Sequence, residues 1–91
     1  MATQLIIRST VADFDVWKPA FDKHESKRKD ATLGLVSLLR GLENDKDITV
    51  IFSVGDVNKA KAFLSSDDTK QAMKDAGVVA SSVNIYFGRS A

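Results

Sequence analysis

The chain has 91 residues, and its 13 Lys and Arg residues are balanced by 12 Asp and Glu residues, for a formal net charge of +1. This length fits one domain over residues 1–91, and the near-zero charge excludes the basic surface that binding to nucleic acid or to an anionic membrane requires. The absence of Cys excludes disulfides and thiol chemistry, and with a single His the sequence predicts no metal site. It shows neither a membrane-spanning apolar run nor a signal segment, so we expect a cytoplasmic protein.

The first part of the chain predicts a strand followed by one long helix. Residues 4–11 are mostly apolar or β-branched, as is typical of a strand. Asp13 is suited to cap a helix, and the apolar period is helical from residue 14 to about residue 31. Pro19 fits poorly inside this helix because it has no backbone N–H. Either the first turn is distinct, or the main helix restarts near Lys18.

A hairpin is predicted in the middle of the chain. We expect Gly34 to end the helix in the left-handed conformation, and two strands to follow over residues 35–42 and 48–54. The polar segment between them, residues 43–47, is short enough for an antiparallel connection.

The second half repeats the helix-then-strand pattern. Residues 57–64 are helical in period, and the Ser and Asp residues of 65–68 begin a further helical segment that extends to Ala76. Gly77 ends this segment, and a last strand follows within residues 78–87. The resulting order, β-α-β-β-α-β, predicts an α+β ferredoxin-like fold with a four-stranded antiparallel sheet and helices on one face.

The predicted strands do not alternate cleanly between apolar and polar residues. Consecutive apolar side chains would point to both faces of the sheet, whereas the helices cover only one face; they are Leu5-Ile6-Ile7, Leu35-Val36, Leu38-Leu39 and Val50-Ile51-Phe52. A second copy packed against the face without helices, the open face, would cover the apolar side chains there, so we predict a homodimer with a two-fold axis. The alternative is that the strands twist or bulge at these positions.

One stripe of the first helix combines aromatic and ionisable side chains. At 100° per residue, Phe14, Trp17, Phe21, His24 and Arg28 fall on the same side of the helix. A titratable base one turn from a cation, both directed toward the sheet, suits a ligand pocket beneath the helix. The planar guanidinium of Arg28 would bind a carboxylate or an enolate.

Ordinary structural roles explain the same stripe. Trp17 and Phe21 are explained equally well as core residues. His24 could pack at the surface near the end of the helix, and Arg28 could extend along the helix toward water. Both interpretations stay open at this point.

The strands carry further candidates. Ser82, Asn84 and Tyr86 alternate along one face of the last strand, and they belong either to the pocket or to the dimer interface. Arg8 and Arg40 are single charges in apolar strands that could reach a pocket.

Several motifs are missing. Ser9, Ser37 and Ser53 have no base beside them in the sequence, so no hydrolytic triad is supported. The glycines form no phosphate-binding loop, and Asp67-Asp68 is a helix cap rather than a metal pair. The sequence therefore predicts no cofactor.

Two motifs resemble a known family: Asp13-Phe14-Asp15-x-Trp17-Lys18-x-x-Phe21-Asp22-x-His24-x-x-x-Arg28, and Ala60-x-Ala62-Phe63-x-x-Ser66 followed by Lys70-x-Ala72-Met73-x-x-Ala76-Gly77-Val78. With the element order, they are similar to the dimeric α/β-barrel superfamily, and most of all to its antibiotic biosynthesis monooxygenase-like and cyclase-like group. This resemblance implies a homodimeric α/β barrel and cofactor-free chemistry on a small organic ligand. It also implies an acid–base pair of His24 and Tyr86, whereas the lack of an Asn on the first strand disfavours haem degradation.

The prediction that follows is an enzyme of the cofactor-free monooxygenase or polyketide-cyclase type, acting on a small aromatic or polyketide-like acid. Its catalytic residues are His24 as general base, Arg28 and Tyr86, and its substrate-binding residues are Trp17, Phe21, Asn84 and Arg40. The alternative is a non-catalytic ligand-binding or interaction module on the same dimer. A cavity of at least ~300 Å³ lined by His24 and Arg28 would favour the enzyme.

Overall fold

A computed structural model describes residues 2–91. Within this range the chain forms four strands and four α-helices, in the order β1 (Thr3–Thr10), α1 (Phe14–Lys23), α2 (Glu25–Asp30), β2 (Leu33–Arg40), β3 (Asp47–Val54), α3 (Val57–Ser65), α4 (Asp67–Asp75) and β4 (Asn84–Arg89), with a 3₁₀ turn at Ala80–Ser82 before β4. The strands form one antiparallel sheet in the order β2-β3-β1-β4, and the helices cover one face. The predicted α+β ferredoxin-like fold is confirmed.

The register of the sheet decides which side chains meet the helices. Leu5 lies opposite Phe52, and this pair belongs to the buried core beneath the helices. Ile6 lies opposite Ile51 and Tyr86, so these three share the open face. The largest apolar side chains buried in the core are Leu5, Val11, Trp17, Leu33, Ile48, Val50 and Phe52.

The long helix predicted for residues 14–31 is divided into α1 and α2. Asp13 caps α1 as predicted, because its carboxylate accepts a hydrogen bond from the Asp15 backbone N–H at 2.9 Å. Pro19 lies inside α1, and the helix continues past it without restarting near Lys18.

The division falls at His24. Its backbone N–H donates to the carbonyl of Phe21 at 3.2 Å, which tightens the last turn of α1. Its own carbonyl accepts from the backbone N–H of Arg28 at 3.0 Å, which begins α2. His24 is therefore shared by both helices.

The left-handed position after α2 is Thr32, with φ of 65°, and the prediction that Gly34 fills it is wrong. The Thr32 hydroxyl stabilises this unusual backbone by accepting a hydrogen bond from the Asp56 backbone N–H at 2.7 Å. Gly34 lies in β2, where a Cβ atom would come within 2.7 Å of Ser53 Oγ. Gly77 ends α4 with φ of 85°, as predicted.

A β-bulge decides which apolar side chains of β2 lie on the open face of the sheet. A bulge between Leu35 and Ser37 shifts the pairing of β2 by one residue. Leu38 therefore lies opposite Val50 on the helix face. The register places Ile6, Leu39, Ile51 and Tyr86 on the open face, beside polar residues such as Gln4, Arg8, Thr49 and Asn84.

Candidate functional site

A cavity of about 110 Å³ lies between the four helices and the sheet. Its wall is mainly apolar and includes Ile7, Trp17, Phe21, Val50, Phe52 and Met73. The helices leave this space because Ala20 in α1 and Ala72 and Ala76 at the C-terminal end of α4 are small where they line it. The polar lining residues are Ser9, His24, Lys27, Arg28, Asp68 and Thr69.

An aromatic row forms one wall of the cavity. The ring centroids of Trp17 and Phe21 are 4.7 Å apart and nearly stacked, and those of Phe21 and Phe52 are 6.2 Å apart. Phe14 extends the row beyond Trp17 at 5.7 Å. This wall offers a flat, apolar surface on which an aromatic ring can stack.

Arg28 is a buried cation at one end of this wall. Its side chain is 8% exposed, its guanidinium lies 3.8 Å from the ring centroid of Phe21, and Nη1 donates to the Phe21 carbonyl. No carboxylate lies within ion-pairing distance of Arg28 among residues 2–91. Burial lowers the pKa of Arg28, and the more distant charges of Glu25 and Asp22 oppose this effect.

The other donors of this guanidinium are available to a ligand. A guanidinium has five N–H groups, and one carbonyl satisfies only part of that capacity. No fully buried side-chain nitrogen lacks a hydrogen-bond partner within the described range, so the free N–H groups of Arg28 reach accessible space. A buried cation with free donors on an apolar cavity is suited to bind an anion.

His24 lies where the cavity opens. It lines the cavity and also an adjoining cleft of about 350 Å³ between α1 and α4. Charged residues flank this cleft, with Lys23 and Lys27 on one side and Asp68 and Asp75 on the other. The half-buried imidazole is therefore accessible both to a ligand in the cavity and to solvent.

The structure brings together four of the seven predicted site residues, Trp17, Phe21, His24 and Arg28. It does not bring Tyr86 or Asn84 to them. Tyr86 pairs with Ile6 in the sheet register and is 65% exposed on the open face. Asn84 lies on the same face, because side chains two residues apart on a strand point the same way. No pair of His24 and Tyr86 forms within one chain.

Arg40 and Ser82 are engaged elsewhere. The guanidinium of Arg40 lies 3.8 Å from the ring centroid of Phe14 and 3.4 Å from a carboxylate oxygen of Asp45, and Arg40 lines neither the cavity nor the cleft. Ser82 accepts a hydrogen bond from the Thr10 backbone N–H at 2.8 Å, which ties the 3₁₀ turn to β1. Arg8 is exposed on the open face.

The predicted site residues do not include the part of the cavity lining that α3 and α4 supply. Phe63 and Leu64 of α3 line the cavity, as do Thr69 and Met73 of α4. The sequence contains a pattern that indicates this helical face, because Thr69, Ala72, Met73 and Ala76 are spaced by three, one and three residues.

Within residues 2–91, no three His, Asp or Glu side chains lie close enough to hold a metal ion. No helix in that range combines the length and the apolar character that crossing a membrane would need.

The sequence matches no protein-family description and no curated protein. Solved structures do match, over almost the entire chain. They show that the protein has the ferredoxin-like fold of the antibiotic biosynthesis monooxygenase-like proteins, as the sequence motifs imply.

Three of these structures show the extent of the likeness. A Bordetella bronchiseptica protein proposed to be an antibiotic biosynthesis monooxygenase superposes with a TM-score of 0.76 at 16% identity, over 99% of this chain and 97% of that chain. A Caulobacter crescentus protein with the same proposed activity gives 0.72 at 17% identity, over 99% and 90%. SnoaB, a cofactor-independent oxygenase from Streptomyces nogalater, gives 0.60 at 16% identity, over 96% and 88%.

Proposed function

We propose that this protein is an enzyme that acts on a small aromatic or polyketide-like acid without a cofactor, as a monooxygenase or a cyclase. The substrate occupies the cavity beneath α1 and α2, with its ring against Trp17 and Phe21. The oxygenase reaction is the first to test, because SnoaB, which shares the fold, is an oxygenase that needs no cofactor.

Arg28 is the observation that carries this proposal. A cation buried on an apolar wall without a carboxylate partner costs folding free energy, and a protein retains such a group where it binds an anion. His24 lies one helical turn away and lines the same cavity, so a base and an anion-stabilising group face one ligand.

The chemistry follows from these two groups. His24 removes a phenolic or α-carbon proton, and Arg28 stabilises the anion that results. In the oxygenase reaction the carbanion attacks O2. With a quinol acid, one oxygen atom enters the ring, and oxidation of the quinol to the quinone supplies the two electrons that convert the other to water. In the cyclase reaction the carbanion attacks a carbonyl of the same molecule.

The second part of the proposal is a homodimer that buries the open face of the sheet. Ile6 and Ile51 lie at the centre of this face, and Leu39 and Tyr86 are exposed beside them. Exposed apolar groups on one sheet face favour packing against a second copy. In this arrangement Asn84 and Tyr86 are polar groups of the interface.

Oxygen uptake with acidic quinols tests the oxygenase reaction. We expect the protein to accelerate O2 consumption by 3,4-dihydroxybenzoate, with one O2 per substrate and one atom of ¹⁸O2 in the product. His24→Ala should reduce the rate about 100-fold, because general-base catalysis contributes at least that much. Ser26→Ala, an exposed change on α2, is the control. Full turnover by His24→Ala would refute the catalytic assignment.

The volume of the cavity favours a second candidate, a non-catalytic module that binds a small acid. The cavity volume of 110 Å³ is smaller than the ~300 Å³ typical of ligand pockets, although the cleft at His24 adjoins it. This module would bind the same acids, with a dependence on Arg28, but would neither consume O2 nor cyclise a substrate.

A further inference from the structure

Ser9 places a hydroxyl on the floor of the cavity. It lies in β1 on the helix face, opposite Ile48 of the core, and it lines the cavity. The described residues give its Oγ no hydrogen-bond partner, and no fully buried side-chain oxygen among them lacks one. The hydroxyl of Ser9 is therefore accessible from the cavity and free to bond with a ligand.

Ser9 and Arg28 lie at different positions along the cavity. The guanidinium of Arg28 is 5.9 Å from the ring centroid of Phe52, and Phe52 lies opposite Leu5 in β1. Ser9 is four residues further along β1 than Leu5, which corresponds to about 13 Å between the Cα atoms of Leu5 and Ser9. The apolar side chains of Ile7 and Val50 line the cavity between them.

The volume limits what can occupy this space. An apolar cavity of about 150 Å³ in another protein holds one benzene molecule, so a partly open cavity of 110 Å³ favours a single ring over a polycyclic ligand. A single ring that carries a polar group at each end would form hydrogen bonds with Arg28 at one end of the cavity and with Ser9 at the other.

We propose that Ser9 is a specificity-determining residue that selects monocyclic aromatic acids with a hydroxyl or carbonyl group para to the acid. The acid group binds Arg28, the ring lies against Trp17 and Phe21, and the para oxygen bonds with the Ser9 hydroxyl. This inference rests on the proposed function, because it assumes that Arg28 holds the acid.

Binding measurements test this inference without any turnover. Trp17 is the single Trp of the chain and lines the cavity, so its fluorescence reports occupancy. The probes are benzoate, 3-hydroxybenzoate and 4-hydroxybenzoate. We expect the wild-type protein to bind 4-hydroxybenzoate about threefold to tenfold more tightly than the other two, as one additional hydrogen bond predicts.

Ser9→Ala should lower the affinity for 4-hydroxybenzoate to that for benzoate, and Ser26→Ala, which removes an exposed hydroxyl from α2, should retain the preference. If the acids bind through Arg28 but Ser9→Ala keeps the preference, or the wild type shows none, the role of Ser9 is refuted and the proposed function stands. If the wild type binds none of the three acids, the role of Ser9 is refuted, whereas the proposed function is judged by oxygen uptake with the quinol acids.

Discussion

At the scale of single residues, Arg28 shows how a site can oppose the stability of the fold. Its aromatic neighbours and one carbonyl stabilise the guanidinium only in part. Because burial lowers the pKa of Arg28 below the unfolded value, the unfolded chain holds this proton more tightly. The cost of burying the cation is therefore fully present at neutral pH, and it diminishes only as the pH rises toward the ordinary pKa of Arg.

We predict that Arg28→Met keeps or increases stability while removing anion binding. The apolar side chain fills similar space without a buried charge, so the free energy of unfolding should rise by between about 0 and 2 kcal/mol. Urea denaturation at neutral pH measures this change, and Trp17 fluorescence measures the loss of benzoate binding. A decrease in stability of more than about 1 kcal/mol would show that Arg28 stabilises the empty protein.

At the scale of elements, the connection from α2 to β2 depends on Thr32. Its backbone is left-handed, which disfavours a Cβ atom. Its hydroxyl bonds with the backbone N–H and the carbonyl of Asp56, at 2.7 and 3.4 Å. One residue therefore combines an unfavourable backbone conformation with the contact that joins this connection to the start of α3.

Two substitutions at Thr32 separate these effects. Both Thr32→Ala and Thr32→Gly remove the hydroxyl, and only Thr32→Ala keeps the Cβ atom. We expect both variants to be destabilised, with Thr32→Gly more stable than Thr32→Ala by about 1 kcal/mol. Urea denaturation of the two variants side by side measures the difference. Equal stabilities would mean that the left-handed backbone costs nothing here.

At the scale of the whole molecule, the helices leave one face of the sheet uncovered. We expect a homodimer with twice the chain mass of 9.9 kDa in native mass spectrometry or sedimentation at micromolar concentration. Leu39→Lys places a charge on this face and should shift the protein toward the monomer.

Leu42→Lys is the matched control for this prediction, because Leu42 is fully exposed beyond the end of β2 and should tolerate the same charge. A wild-type protein that sediments as a 9.9 kDa particle would contradict the dimer. It would also leave Asn84 and Tyr86 exposed to water on the open face.

Local patterns in the sequence predicted the order of elements and the inward stripe of Trp17, Phe21, His24 and Arg28 correctly. Helical periodicity depends only on residues close together in the chain, so these side chains share one side although the helix divides at His24. Asp13 and Gly77 were also predicted correctly, because caps depend on a few adjacent residues.

Only the tertiary structure decided which face of the sheet each strand residue occupies. The placement of Tyr86 and Asn84 on the open face follows from the pairing of β4 with β1, and an alternating pattern is equally compatible with either face. The cavity also depends on distant contacts, since Ser9, Arg28 and Met73 line the same space only after three separate elements pack together. The sequence by itself thus determined the elements and the composition of one wall, whereas packing between distant segments decided the site.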